Sequence, residues 1–185
     1  MEHFYQNIEG WFSYEYVYKD MVDQADDDSL FVEIGSFKGR STAFMAVEIA
    51  NSGKKIKFDC IDPMKAIGHY ENAARINPQE WDGYSVEDFH RRLEPVKGLY
   101  NLHQMPSDEA VNLYEDGSID FIMIDGDHSY EAVKRDIQNF LPKMRSGGLM
   151  AGDDAFAEEV QRAVADAAGS LKYEINGIHF FISIP

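Results

Sequence analysis

Two sets of residues in this chain have the types and spacing to do chemistry. The first is acidic. Asp125 follows the apolar run 119–124, and Asp153 and Asp154 follow another apolar run, 149–151. If the two runs are neighbouring parallel strands, their ends stand about 5 Å apart on one rim. Three carboxylates there repel one another unless something positive sits among them. A hard divalent cation with oxygen ligands is one solution, and Mg2+ keeps waters that substrate oxygens can replace. The local alternative is that Asp153 caps the following helix and Asp125 only touches a cofactor. His128 comes soon after Asp125 and has a reference pKa of about 6.5, which suits it to take a proton from a substrate hydroxyl. It could equally open a helix while bonded to Asp127 or to a cofactor, and Ser129-Tyr130-Glu131 reads as a structural helix start.

The second set is a glycine turn. In 32–42, VEIGSFKGRST, Gly35 allows a sharp turn and close ligand approach, and Gly39 permits tight packing where a helix begins. Ser41 or Thr42 can satisfy free amides of the first turn, and an open helix N-terminus favours a carboxylate or phosphate. The spacing is G-x-x-x-G, not the G-x-G-x-x-G dinucleotide fingerprint. Asp62 lies about 27 residues beyond Gly35 and ends an apolar run. An acid there can accept both hydroxyls of an adenosine ribose, or it can cap the turn before Pro63.

These residues need a sheet to bring them together. Strand-like runs at 30–34, 56–61, 99–103, 119–124 and from 149 alternate with helical patterns at 41–50, 130–144 and 158–168. Nearly all-apolar strands suit a parallel sheet covered on both faces, and β-α alternation implies a doubly wound sheet with right-handed crossovers. Residues 171–175 and 179–184 break the alternation, and Asn176-Gly177 between them is a strong hairpin signal. The expectation is an α/β fold with a mostly parallel seven-stranded sheet, Rossmann-like, closed by an antiparallel C-terminal hairpin. One domain spans 1–185, with a helical cap at 1–29. Its aromatics, WFSYEYVY, suit core packing, the cofactor mouth or a homodimer contact. The irregular stretch 64–95 reads as a substrate lid carrying a helix-like 86–93, with His69, Tyr70, Trp81, Tyr84 and His90 in it.

The chain has 185 residues and a formal charge of −16, which disfavours nucleic acid and anionic membranes as partners and suits a cation or cationic cofactor. Cys60 is the only cysteine, so there is no disulfide framework or thiolate metal cage, and its apolar setting reads as a buried inert thiol. The acidic, aromatic start is not a signal peptide, and no run is long and apolar enough to span a membrane. A cytoplasmic location is expected.

The combination VEIGSFKGRST, IDP, MPSDEA, IDGDHSYEAVKRDI and PKMRSGGLMAGDD resembles class I S-adenosylmethionine-dependent methyltransferases, within them the methyltransferase 24 family. It is also similar to cation-dependent O-methyltransferases of the catechol and macrolide-sugar types. The resemblance covers roughly 30–185 and is weakest across 64–94. It implies that Glu33, Ile34, Gly35, Ser36, Gly39 and Ser41 hold the methionine part of S-adenosyl-L-methionine. It places ribose at Asp62 and Pro63 and adenine beside Ser107 and Asp108. Asp125, Gly126 and His128 complete the cofactor set, Asp125 and His128 are the catalytic candidates, and Asp125, Asp153 and Asp154 match a divalent-cation site.

The reaction implied is an in-line methyl transfer to a hydroxyl of a small acceptor such as a catechol or sugar diol, in which orientation is the main task. A chelated cation would fix that orientation and lower the hydroxyl pKa. The alternatives are a metal-independent methyltransferase and a non-catalytic S-adenosylmethionine-binding module. The glycine spacing and the terminal hairpin speak against a nicotinamide-dependent oxidoreductase.

Overall fold

Alternating apolar side chains at β1 (Leu30–Ile34) face two different helical layers, and this fixes the architecture. Val32 and Ile34, with Ile122 and Ile124 of β4 (Ile119–Ile124), pack against Val133 and Ile137 of α6 (Tyr130–Phe140) and Val160 and Val164 of α7 (Glu158–Ala168). Phe31, Phe121, Met123 and Cys60 face the other way. They meet Tyr14, Val17 and Tyr18 at α1 (Glu15–Gln24) and Phe44, Met45 and Ile49 of α2 (Arg40–Ser52). Each large apolar side chain so buried contributes roughly 1.5–3 kcal/mol relative to exposure. Cys60 is buried in this second core.

The computed structural model describes residues 1–66 and 70–185. Its sheet has seven strands in the order β3-β2-β1-β4-β5-β7-β6. β2 (Lys57–Ile61), β3 (Asn101–His103), β4 and β5 (Met144–Gly152) are parallel to β1, while β7 (His179–Ser183) runs antiparallel to β5 and β6 (Tyr173–Asn176) antiparallel to β7. The Asn176-Gly177 turn therefore closes a hairpin, with Gly177 at φ +63°. β5 starts earlier than the apolar pattern suggests, because the polar segment Arg145-Ser146-Gly147-Gly148 already belongs to the strand.

Register then positions the site. Ile61, Ile34, Ile124 and Gly152 are Cα partners in one row across β2, β1, β4 and β5. The residues that follow them, Asp62, Gly35, Asp125 and Asp153, must emerge side by side at the carboxyl edge of the sheet. Backbone bonds continue the ladder one step past the strands, from Gly35 N to Ile61 O (2.9 Å), Asp125 N to Ile34 O (2.8 Å) and Asp153 N to Ile124 O (3.1 Å).

The segment 64–95 contributes α3 (Tyr70–Ile76) and α4 (Val86–Arg92). Ser85 caps α4 by accepting from Asp88 N, and Phe89 packs with Leu93 and Val96 against Ala43 and Val47 of α2. His69 lies outside the described residues. Helix α5 (Ser107–Ala110) follows β3. Among the described residues no helix is long and apolar enough to cross a membrane.

Candidate active site

A cavity of about 950 Å³ opens at the carboxyl edge of the sheet, over the point where chain order reverses between β1 and β4. Ligands of doubly wound sheets bind at such a switch point. Of the residues singled out from sequence, Ile34, Gly35, Ser36, Ser41, Asp62, Pro63, Ser107, Asp125, Gly126, His128, Asp153 and Asp154 all line it. Its lining includes two non-glycine residues in left-handed backbone, Phe37 (φ 46°) and Asp154 (φ 55°), in the turns after β1 and β5. Strain of this kind is held only where the surroundings over-determine it.

Three members of the expected cofactor set stand elsewhere. Glu33 shares the face of Phe31, so its side chain is aimed between α1 and α2 instead of into the cavity. There it is fully buried and accepts from Tyr18 Oη (2.8 Å), Ser36 Oγ (2.7 Å) and Thr42 Oγ1 (2.6 Å). Burial raises its pKa against the pull of those hydroxyls. Glu33 thus ties the glycine turn to both helices. Gly39 backs onto α4, where an added Cβ would press on Phe89 and Leu93 at 3.0–3.1 Å. Asp108 is exposed on α5, and Asp136 of α6 lines the cavity beside Ser107 in its stead. Ser107 Oγ donates to Asp136 Oδ1 at 2.6 Å, and burial lifts the Asp136 pKa to about 6.

Asp62 is buried and serves the turn directly. Oδ2 accepts from Ser36 N (2.9 Å) and Phe37 N (2.8 Å), and Oδ1 accepts from Met64 N (2.7 Å) and the Tyr84 hydroxyl. Desolvation outweighs these donors and raises its pKa. Tyr84, with Phe37, Trp81 and Tyr70, forms an aromatic group over the cavity, ring centroids 5.0–5.7 Å apart. The exposed Trp11 stacks on Phe37 at 5.9 Å.

The acidic group differs from the expected metal site. Asp125 Oδ2 accepts from the buried Tyr14 hydroxyl at 2.6 Å, and Oδ1 lies 3.7 Å from His128 Nε2. The same His128 nitrogen lies 3.2 Å from Asp154 Oδ2, and His179 Nε2 lies 3.4 Å from Asp153 Oδ1. Two imidazoles therefore stand among the three carboxylates where the sequence suggested a cation. Among the described residues no group of three or more His, Cys, Asp or Glu is placed to hold a metal ion. Burial, and then the Asp153 carboxylate, hold Asp125 well above the ordinary carboxylate range, with Tyr14 opposing. Burial also raises Asp153, with the Asp154 amide and His179 pulling the other way.

Sequence reading did not find Lys38, Asp136 or His179. His179 reaches Asp153 because β7 pairs with β5 so that Phe180 faces Gly152. The hairpin is legible in Asn176-Gly177, but its register against β5 is not. Gly152 admits that pairing closely, since a Cβ there would fall 2.2 Å from the Phe180 ring.

A family model described as a methyltransferase domain, Methyltransf_24, matches residues 32–155. An uncharacterized protein, R132, from Acanthamoeba polyphaga mimivirus is 30% identical over 131 residues, 69% of this chain and 52% of that protein. The chain thus spans about half the length of this curated relative. Among solved structures, a putative O-methyltransferase from Klebsiella pneumoniae superposes with a TM-score of 0.59 at 18% identity, covering 96% of this chain and 83% of that one. An rRNA methylase from Streptococcus thermophilus gives 0.58 at 15% identity, covering 91% and 92%. At these identities the likeness is one of fold.

Proposed function

The chain belongs to the methyltransferase-domain family Methyltransf_24, and from that premise we propose that it is an S-adenosylmethionine-dependent methyltransferase acting on a hydroxyl of a small molecule. The observation that carries the hydroxyl reading is His128, set between Asp154 and Asp125 on the cavity wall. The formal charge of −16 argues for a small acceptor over RNA, whose phosphates such a surface repels.

The cavity suits the cofactor in size, since ligand pockets of about 300–1,000 Å³ are usual. It also holds the buried indole N–H of Trp81, a donor with no hydrogen-bond partner among the described residues. Ile34, Gly35, Ser36 and Ser41 would hold the amino-acid part, Asp62 the ribose, and Ser107 with Asp136 the far end. S-adenosylmethionine supplies an electrophilic methyl group on a sulfonium.

The protein's own part is orientation and proton transfer. Gly35 brings the β1 turn against the Asp125-Gly126 backbone, so the wall there is rigid. His128 takes the hydroxyl proton of the acceptor at its imidazole, and Asp154 and Asp125 stabilise the charge that the ring then carries. Such a base contributes about 10²–10⁴-fold. The aromatic group of Tyr70, Trp81, Tyr84 and Phe37 excludes water. The three aspartates do not fit a divalent cation as placed, so no step is assigned to one.

The test is calorimetric titration with S-adenosylmethionine, followed by an acceptor screen that begins with catechols and sugar diols. Cofactor binding and a methylated hydroxyl product support the reading. Absence of binding overturns it, and a product methylated only on nitrogen overturns the hydroxyl assignment.

A further inference from the structure

Lys38 lies on the turn between β1 and α2, lines the cavity and has a side chain only 2% exposed. An ammonium taken out of water to that extent needs an anion beside it. Its ionic partner among the described residues is Glu9, with Oε2 2.7 Å from Nζ, and the Phe37 ring lies 5.4 Å away. Glu9 is an odd partner for a buried cation. It is 81% exposed, sits in no helix or strand, and precedes Gly10 at φ +132°. The pair thus joins a fixed, buried cation to an exposed carboxylate whose neighbour Ile8 is packed in the core. The hydrogen bond from Lys38, and then its charge, lower the Glu9 pKa.

The surroundings give the cavity a direction. Arg40 adds a second positive group to the same wall. One of its terminal nitrogens donates to Ile8 O at 3.1 Å, while its buried Nε has no hydrogen-bond partner among the described residues. Asp125, Asp153 and Asp154 line the same cavity just after β4 and β5. Lys38 by the glycine turn and the aspartates after β4 and β5 match the two ends of an α-amino acid: its carboxylate toward Lys38, its ammonium toward the aspartates.

We propose that Lys38 anchors the amino-acid carboxylate of the cofactor, and that Glu9 occupies the place of that carboxylate until the cofactor arrives. This rests on the methyltransferase reading above. Binding then exchanges one carboxylate for another on a cation that is never left unpaired, and it releases the Glu9 side chain.

The test compares two ligands by calorimetry: S-adenosylhomocysteine, which carries the amino-acid group, and 5′-methylthioadenosine, which lacks it. Lys38→Met is expected to weaken S-adenosylhomocysteine on the order of ten- to a hundredfold, the usual range for a hydrogen bond to a charged group. It should leave 5′-methylthioadenosine unchanged, and Lys38→Arg should recover most of the loss. Glu9→Gln removes the competitor, so it should tighten S-adenosylhomocysteine alone. Equal weakening of both ligands by Lys38→Met would make Lys38 a support of the turn and overturn the proposal. Weaker or unchanged S-adenosylhomocysteine binding by Glu9→Gln would overturn the exchange, and this arm still decides should Lys38→Met fail to fold. If the wild-type protein bound neither ligand, the methyltransferase reading itself would fall, a result distinct from the others.

Discussion

The Tyr84 hydroxyl donates to Asp62 Oδ1, on the cavity carboxylate proposed to hold the ribose. Asp62 already takes three backbone amides, so Tyr84 holds the position that a ribose hydroxyl would need. Tyr84→Phe removes a charge-assisted bond to a buried acid and should cost about 1–3 kcal/mol in the free protein. With saturating S-adenosylhomocysteine the loss should shrink, because the ribose supplies the missing donor. Denaturation with and without ligand checks this. An equal loss in both would place the ribose elsewhere.

His128→Asn should lower kcat by about 10²–10⁴-fold while cofactor affinity changes little, the pattern of a lost general base. Asp154→Asn should fall between the two, since the imidazole keeps its Asp125 neighbour at 3.7 Å. Single-turnover rates alongside cofactor titration separate the effects. A His128 variant with full kcat would remove the base from the mechanism.

The fold and most of the site were legible because they depend on local pattern. Strand ends, the glycine turn and the terminal hairpin all carry short-range signals, and parallel pairing then sets Asp62, Gly35, Asp125 and Asp153 on one edge. What sequence did not give depends on orientation and long-range register. Glu33 adjoins the turn in sequence, yet strand alternation aims it at Tyr18 and Thr42, away from the cavity. His179 lies far from Asp153 in sequence and meets it only through antiparallel register. The convergence of Asp125, Asp153 and Asp154 was legible in the strand ends, but the second imidazole beside them, His179, was not.

Imidazoles in the place of a cation would make a testable difference. Turnover in EDTA, with metal content verified by elemental analysis, should equal turnover in Mg2+. A drop of more than about tenfold, or about 1.4 kcal/mol of activation free energy, would show that the carboxylates rearrange around a cation during catalysis.

Gly35→Ala should abolish cofactor binding and destabilise the chain by about 2–4 kcal/mol. Gly35 sits at φ +89°, and a Cβ there would fall 2.1 Å from Asp125 O and 2.8 Å from Gly126 Cα. These are backbone atoms, so no side chain can swing away, and the β1 and β4 turns must part. Gly53→Ala is the control: its φ is similarly positive at +70°, but nothing lies within 4 Å. It should show only the smaller cost of left-handed backbone, and comparing the two melting temperatures isolates the clash.

Asp136 provides a pH signature for the far end of the cavity. Burial raises its pKa from 3.8 to about 6, against the pull of the Ser107 hydroxyl. The folded state thus holds its proton more tightly than the unfolded state. The stability this gives is fully present below about pH 4 and is lost as pH rises through about 6. A shift of about two units corresponds to at most about 3 kcal/mol. Asp136→Asn keeps an acceptor for Ser107 without the charge. It should therefore match the wild type near pH 4 and exceed it in stability at pH 8 by up to that amount. Urea denaturation at the two pH values measures the difference. A variant less stable than wild type at pH 8 would mean that the ionised carboxylate is satisfied in the folded protein and that burial is not what governs this residue.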